Sequence, residues 1–326
     1  MLRNRRLTMT LATALVSIIL MAAAGCATYG SPGQTPAVQN EITYPPYDGP
    51  KKRIAVLEFD NDIQGHWWDR SWNISRRLTD MVTTELMKTN RFIVVERGAL
   101  DEILAEQDLG SSGRIRRETA AKVGELLGAQ VLIKGAVTEF AQKESGGIGG
   151  LAIHGIGIVG RTDTGHVAID LRLIDSTTGQ VQQSHRSEGR IKSTGFGGIA
   201  FFHGLAFGGA AYNKTALGKA TRQAVQNAVS YIVNAMDARP WEGRVVKATG
   251  GTVYVNGGAN MNITTGTIFS VYSKGDELID PDTGLSLGSV QSRAGTIRVT
   301  QVMEKFSVAE TLEGSGFKRG DILKLQ

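Results

Sequence analysis

Cys26 is the only thiol in the 326-residue chain. It closes the run Ala23-Ala24-Gly25-Cys26, behind an uncharged stretch from Leu7 to Ala24 that follows Arg3, Arg5 and Arg6. A basic start, an apolar run and small residues before a cleavage point form a secretory signal. The small-small-Gly-Cys ending resembles the bacterial lipobox. There the thiol forms a thioether to a diglyceride and the cysteine becomes the first mature residue. Two or more acyl chains hold a protein stably on a membrane. The run also has the length of a short transmembrane helix, and the cysteine is what favours lipid attachment over a retained anchor. Ala27 follows in place of the Asp that favours inner-membrane retention, which points to the outer membrane.

Other reactive side chains form no working set. Glu58, Asp60, Asp62 and Asp69 are close in sequence, with His66 beside them, but they read as a solvated acidic loop. One histidine without a nucleophile makes no triad. Arg114, Arg116 and Arg117 read as a solvated helix start, and Ser111-Ser112-Gly113 lacks the setting of a nucleophile elbow. Gly155-Ile156-Gly157 leads into no helix and has no Lys-Ser/Thr pair behind it, so it is a weak phosphate loop. One Cys and five scattered His leave no thiol-based or clustered metal site. The expectation is a non-enzyme with no catalytic residue, metal or cofactor.

These segments need elements to hold them. Residues 27–50 carry five of the seven prolines and read as an extended tether. Ile54–Phe59 and Phe92–Val95 read as strands. Leu78, Met81, Val82, Leu86 and Met87 have helical spacing, and Leu100, Ile103 and Leu104 suggest a second helix. A third helix is expected over Ala120–Leu127, before a strand from Val131. Val167, Ile169, Leu171 and Leu173 alternate with Ala168, Asp170 and Arg172 as a half-buried strand. Leu217, Ala220, Ala224, Val225, Ala228, Val229, Ile232 and Met236 mark one face of a long helix. Strands alternating with helices indicate an α/β domain. From Trp241 the pattern changes to short β runs at Arg244–Lys247, Thr252–Val255, Thr267–Tyr272, Thr296–Val302 and Asp321–Leu325. That suggests a small SH3-like or OB-like barrel. Removing residues 1–25 leaves 33 basic against 31 acidic side chains, so the balance argues little for nucleic acid.

Two stretches carry the functional signal. Residues 145–160 hold no charge and seven glycines, and residues 193–213 hold no charge and six. Ordinary connections would be short and polar. In the second, Ile199, Phe201, Leu205 and Phe207 fall on one face of a period of two, interrupted by His203, with Ala200, Gly204, Ala206 and Gly208 opposite and Phe202 as the exception. Large apolar residues alternating with small ones fit a barrel strand with lipid outside. Ile148, Leu151, Ile153, Ile156 and Ile158 are the matching apolar positions of the first stretch. An up-and-down hairpin needs roughly 18–22 residues. The first stretch borrows flanking residues, giving spans of about 137–165 and 191–214. A backbone in lipid leaves no polar group unpaired, and two hairpins cannot close a barrel, so several copies must pool strands. A soluble flap or a single Gly-dense transmembrane helix are the rival readings.

The chain resembles the CsgG family of curli secretion channels over roughly residues 51–238. The resemblance rests on Phe92-Ile93-Val94-Val95-Glu96-Arg97, on Gly135 after Val131–Ile133, and on Ser145-Gly146-Gly147-Ile148-Gly149 with Gly155-Ile156-Gly157. Asp170-Leu171-Arg172 leading to Thr178-Gly179-Gln180 completes it. It implies an outer-membrane lipoprotein assembling as a ring, typically of nine subunits. Each subunit would give two hairpins to one barrel, above a periplasmic vestibule. Unfolded polypeptides would pass without nucleotide hydrolysis. The family's aromatic constriction implies Trp67, Trp68 and Trp72 as lining candidates, with Asn73 as the polar one. Residues 241–326 resemble the C-terminal domain of the flagellar ring protein FlgT, through Gly251-Thr252-Val253-Tyr254-Val255-Asn256 and Pro281-Asp282-Thr283-Gly284.

The expected fold is therefore α+β. It comprises signal 1–25, lipidated Cys26 with tether 26–50, an α/β domain over 51–238 with two membrane hairpins, and a β module over 239–326. The expected partners are copies of the chain, outer-membrane lipid, an exported polypeptide and periplasmic accessory proteins. The alternative is a periplasmic adaptor lipoprotein without a pore, such as an LpoB-like activator of cell-wall synthases or a flagellar-ring accessory.

Overall fold

The computed structural model describes residues 44–63, 72–124, 126–147, 160–196, 207–282, 284 and 286–326. Strand β1 (Lys52–Val56) is central, and Ile54 and Ala55 are fully buried. It runs parallel to β3 (Phe92–Val95) and to the start of β4 (Val131–Gly147), while β2 (Asp60–Asn61) adds to β4. Between β2 and β3 lies α1 (Ile74–Lys88). Its buried residues Ile74, Leu78, Val82 and Leu86 recur every four positions, so one stripe faces the core. Helix α2 (Leu100–Ser111) follows β3. The expected third helix over Ala120–Leu127 is not formed. Gly124 has φ +81°, a left-handed conformation that interrupts a helix, and Ala121 packs against Gly110 of α2 instead.

The second half of the sheet is an antiparallel meander of long strands, β4, β5 (Gly160–Asp175) and β6 (Val181–Phe196). The order across the sheet is β3-β1-β4-β5-β6. A short α3 (Ala210–Lys214) leads into α4 (Ala216–Asp237), and all eight apolar positions read from the sequence are buried on its inner face. That face is rich in alanine, and it meets glycine on the strands. A Cβ on Gly189 would lie 2.7 Å from the Ala224 nitrogen and would collide with the Ala220 carbonyl; one on Gly165 would press on Ala216. Ser187, buried between them, donates to the Ala224 carbonyl at 2.8 Å.

The helix also closes the edge of the sheet. Gln223 Oε1 accepts from the Arg190 N–H at 2.9 Å, and Asn227 Nδ2 donates to the Glu188 carbonyl at 2.8 Å. Unpaired strand edges invite other strands, and here side chains of α4 satisfy that one in part. At the other end of α4, Lys52 is buried, and its ammonium donates to the carbonyls of Met236 and Arg239, the second at 2.6 Å. A cation at a helix C-terminus meets the negative end of the dipole. Burial lowers the Lys52 pKa against the raising effect of Asp237. Arg91, at the start of β3, forks onto Asp237 at 3.0 and 2.8 Å.

The C-terminal part is a closed six-stranded barrel, in the order β10-β11-β8-β7-β12-β9. The strands are β7 (Glu242–Thr249), β8 (Thr252–Val255), β9 (Ile268–Ile279), β10 (Ser286–Val302), β11 (Ser307–Gly314) and β12 (Ile322–Leu325). Trp241 stacks on Phe269 at 5.2 Å in its core. Ile93 of β3 packs against that core, and the Lys51 N–H donates to the Met261 carbonyl at 2.9 Å, joining barrel and sheet.

Gly189→Ala should lower stability by about 3 kcal/mol through overpacking. Gly128→Ala, whose Cβ meets open space, should stay within about 0.5 kcal/mol; urea unfolding of both checks this. Asp175 ends β5, and its Oδ1 accepts from the Thr177 and Thr178 N–H groups at 3.0 and 3.1 Å. Burial pushes its carboxyl up, but these amides and Arg239 outweigh that and hold it below the usual carboxylate range. Its contribution is present above that range and is lost as pH falls through the lowered folded value. Asp175→Asn should flatten the acid limb of a melting-temperature profile and leave the neutral limb parallel to that of the original protein.

Candidate functional site

The meander ends in register. Gly147 pairs with Gly160, and Gly160 pairs with Phe196, so three strand ends form one rung. The two glycine-rich stretches of the sequence therefore leave the sheet from the same end. Charges stop just before that end. The last ones on the ladder are Lys143, Glu144, Arg161, Asp163 and Lys192, and Ser145, Thr162 and Thr194 share an uncharged rung.

Below this end the strands have two unlike faces. Toward α4 lie Val137, Phe140, Val167, Ile169, Leu171 and Ser187, all buried. The opposite face carries a charged network across three strands. Arg186 pairs with Glu139, with Asp170 at 3.4 Å and with Glu188 at 2.8 Å. His166 Nδ1 lies 2.8 Å from Glu139 Oε2, and its Nε2 lies 3.5 Å from Glu188 Oε2. The Arg186 hydrogen bond holds the Glu188 carboxyl below the usual carboxylate range, and the same bond raises the Arg186 guanidinium further. Exposed pairs of this kind contribute little stability singly. Their effect is to fix the register of β4, β5 and β6. Among the described residues no group of three His, Cys, Asp or Glu side chains could hold a metal ion.

An aromatic knot sits on the helix side. Trp72 is 6% exposed and Phe207 is 5% exposed. Ring centroids are 5.7 Å apart for Trp72–Phe207, 5.6 Å for Trp72–Tyr212, 4.8 Å for Phe207–Tyr212 and 6.4 Å for Trp72–Phe140. Thr221 Oγ1 donates to the Leu217 carbonyl at 2.8 Å, so the Tyr212 hydroxyl donates to Thr221 Oγ1 at 2.6 Å. Burial raises the pKa of that hydroxyl far above its ordinary value, and Thr221 and Arg222 offset this only in part.

The knot corrects two expectations. Trp72 is a core residue and not a lining residue, because three aromatic rings enclose it. Phe207 belongs to the same core and does not face lipid. Asn73 is the N-cap of α1, with φ 43° and its Oδ1 accepting from the Arg76 N–H at 3.5 Å. Val137 and Phe140 likewise pack in the core, so the ends of the spans 137–165 and 191–214 belong to the α/β body. Cys26, Trp67, Trp68, Ile148, Leu151, Ile153, Ile156, Ile158, Ile199, Phe201 and Leu205 lie outside the described residues. Sequence reasoning passed over Phe140 and Tyr212 as anchors. Phe140 follows a β-bulge between Val137 and Glu139, which shifts the alternation that would have placed it. Trp72→Ala should cost about 3–5 kcal/mol. Its combination with Phe207→Ala should cost less than the two separate losses together, since the rings share one site; denaturant titration of the three variants measures both quantities.

Residues 39–259 match the family described as curli production assembly/transport component CsgG. A Neisseria meningitidis serogroup B protein named "Putative lipoprotein NMB1126/NMB1164" is 27% identical over 243 residues, covering 71% of this chain and 98% of that protein. A solved hypothetical protein from Chlamydia trachomatis is 12% identical with a TM-score of 0.39, over 58% of this chain and 99% of its own. The solved lipoprotein GNA1162 from Neisseria meningitidis is 15% identical with a TM-score of 0.23, over 58% of this chain and 99% of its own. The family match spans more than half of the chain, from the end of the tether through the α/β body to the first strands of the barrel. The chain belongs to the CsgG family.

Proposed function

We propose that this is an outer-membrane lipoprotein whose copies assemble into a secretion channel for curli-like or other extracellular polypeptides, without nucleotide hydrolysis. The observation that carries the reading is the common rung Gly147–Gly160–Phe196. Two uncharged, glycine-rich stretches that leave one end of a sheet side by side are suited to continue it as hairpins. In lipid every backbone group of such a continuation needs a partner, and neighbouring copies supply it. Family membership supports the same reading. Cys26 in its small-residue setting supports lipid anchoring, as does the name of the Neisseria relative.

A second reading, a lipid-anchored periplasmic adaptor without a pore, is favoured by one observation. Phe207 lies in the core, so only residues 193–206 of the second uncharged stretch precede the core, fewer than the roughly 18–22 residues of a full hairpin. The two readings separate in the intact envelope. Spin labels on Ile156→Cys and Phe201→Cys should be shielded from aqueous relaxation agents and reached by oxygen, and detergent-extracted protein should give ring particles by electron microscopy. Fully hydrated labels, with a soluble monomer after Cys26→Ala, would leave the adaptor.

A further inference from the structure

The register of the meander sorts the last charges before its uncharged end by face. A Cβ on Gly165 would press on Ala216, so Gly165 and its rung partners Gln142 and Ile191 turn toward α4. Successive rungs face opposite ways. The rungs on either side of Gly165, Ala141–His166–Arg190 and Lys143–Thr164–Lys192, therefore lie on the face away from α4. The next rung, Glu144–Asp163–Ser193, turns back toward α4, and the one after it, Ser145–Thr162–Thr194, is uncharged. Toward the uncharged end, the face away from α4 thus closes its charges on Arg190, Lys143 and Lys192, with no carboxylate among them.

All three cations are exposed, and none has an ion pair among the described residues. The carboxylates of the same face, Glu139, Asp170 and Glu188, sit on lower rungs and are engaged by Arg186 and His166. Lys143 and Lys192 are two strands apart, about 10 Å, and Arg190 is about 7 Å below Lys192 on one strand. The other face is covered at this level, since Ile191 packs against the core and Ala216 lies on Gly165. Only the face away from α4 offers free side chains to a surface that meets the sheet here.

We infer that Lys143, Arg190 and Lys192 bind the phosphate groups of anionic glycerophospholipids in the membrane leaflet nearest the α/β body. Position and charge select this partner. The cations border the two uncharged stretches, where the headgroup layer lies once those stretches enter hydrocarbon. Basic side chains next to a membrane segment are drawn to anionic lipid, and their long stems carry the charge to the headgroups. A passing polypeptide of mixed charge would gain nothing from a band of one sign. The inference rests on the membrane hairpins of the proposed function and adds what fixes their depth: the three cations hold the rung Gly147–Gly160–Phe196 at the hydrocarbon boundary.

The test uses the full lipidated chain in neutral detergent, titrated with short-chain phosphatidylglycerol or phosphatidylcholine. Phosphatidylglycerol should bind more tightly, and Lys143→Gln, Arg190→Gln and Lys192→Gln together should weaken its binding at least about tenfold. Arg114→Gln, Arg116→Gln and Arg117→Gln together remove the same charge from exposed positions outside the meander and should leave that binding unchanged. Unchanged melting curves exclude misfolding as the cause. Benzoylphenylalanine in place of Thr164, between the two lysines, should capture phospholipid in cells. The inference is overturned by a Lys143, Arg190 and Lys192 variant that binds phosphatidylglycerol as the original does, by an equal loss in the control trio, or by capture of polypeptide at position 164, which would turn this face to the lumen. Spin labels at Ile156 and Phe201 are read separately. Shielded labels with any of those three results keep the channel and remove this inference, whereas hydrated labels remove both.

Discussion

The seating of α4 on β5 and β6 governs the rest of the α/β body. Alanines on the helix meet Gly165 and Gly189 on the strands, so the backbones approach more closely than larger side chains would allow. At that separation Gln223 and Asn227 are within reach of the β6 edge, and Ser187 reaches the helix backbone. The same seating brings α3 and Tyr212 beneath Trp72, where Thr221 receives the buried hydroxyl. An aromatic knot at the start of one helix and an edge closed by amides are thus consequences of one small-residue contact.

That contact also separates the two faces of the meander. The helix face is apolar and fully covered, while the other face holds Glu139, His166, Asp170, Arg186 and Glu188. Solvent screening keeps such pairs weak in energy, but a one-residue slip would scatter them and turn the core residues outward. The network and the core therefore specify the same register from opposite sides. The register in turn determines which residues share the last rung, and so where two segments distant in sequence emerge together.

Much of this was legible in the residues. The strand from Val167, the long helix from Leu217 and the barrel from Trp241 each carry a clean period, and each is present. What period could not reveal was partnership. Trp72 and Phe207 look like exposed aromatics when read along the chain, because the rings that bury them come from Phe140 and Tyr212, far away in sequence. The bulge at Val137–Glu139 broke the alternation that would have linked Phe140 to the core. Gly124 broke a helix that spacing alone had favoured. The β9–β10 pairing over 274–292 escaped for the opposite reason: it has glycine, serine and charge where an alternation should be, and it comes from continuation of barrel strands.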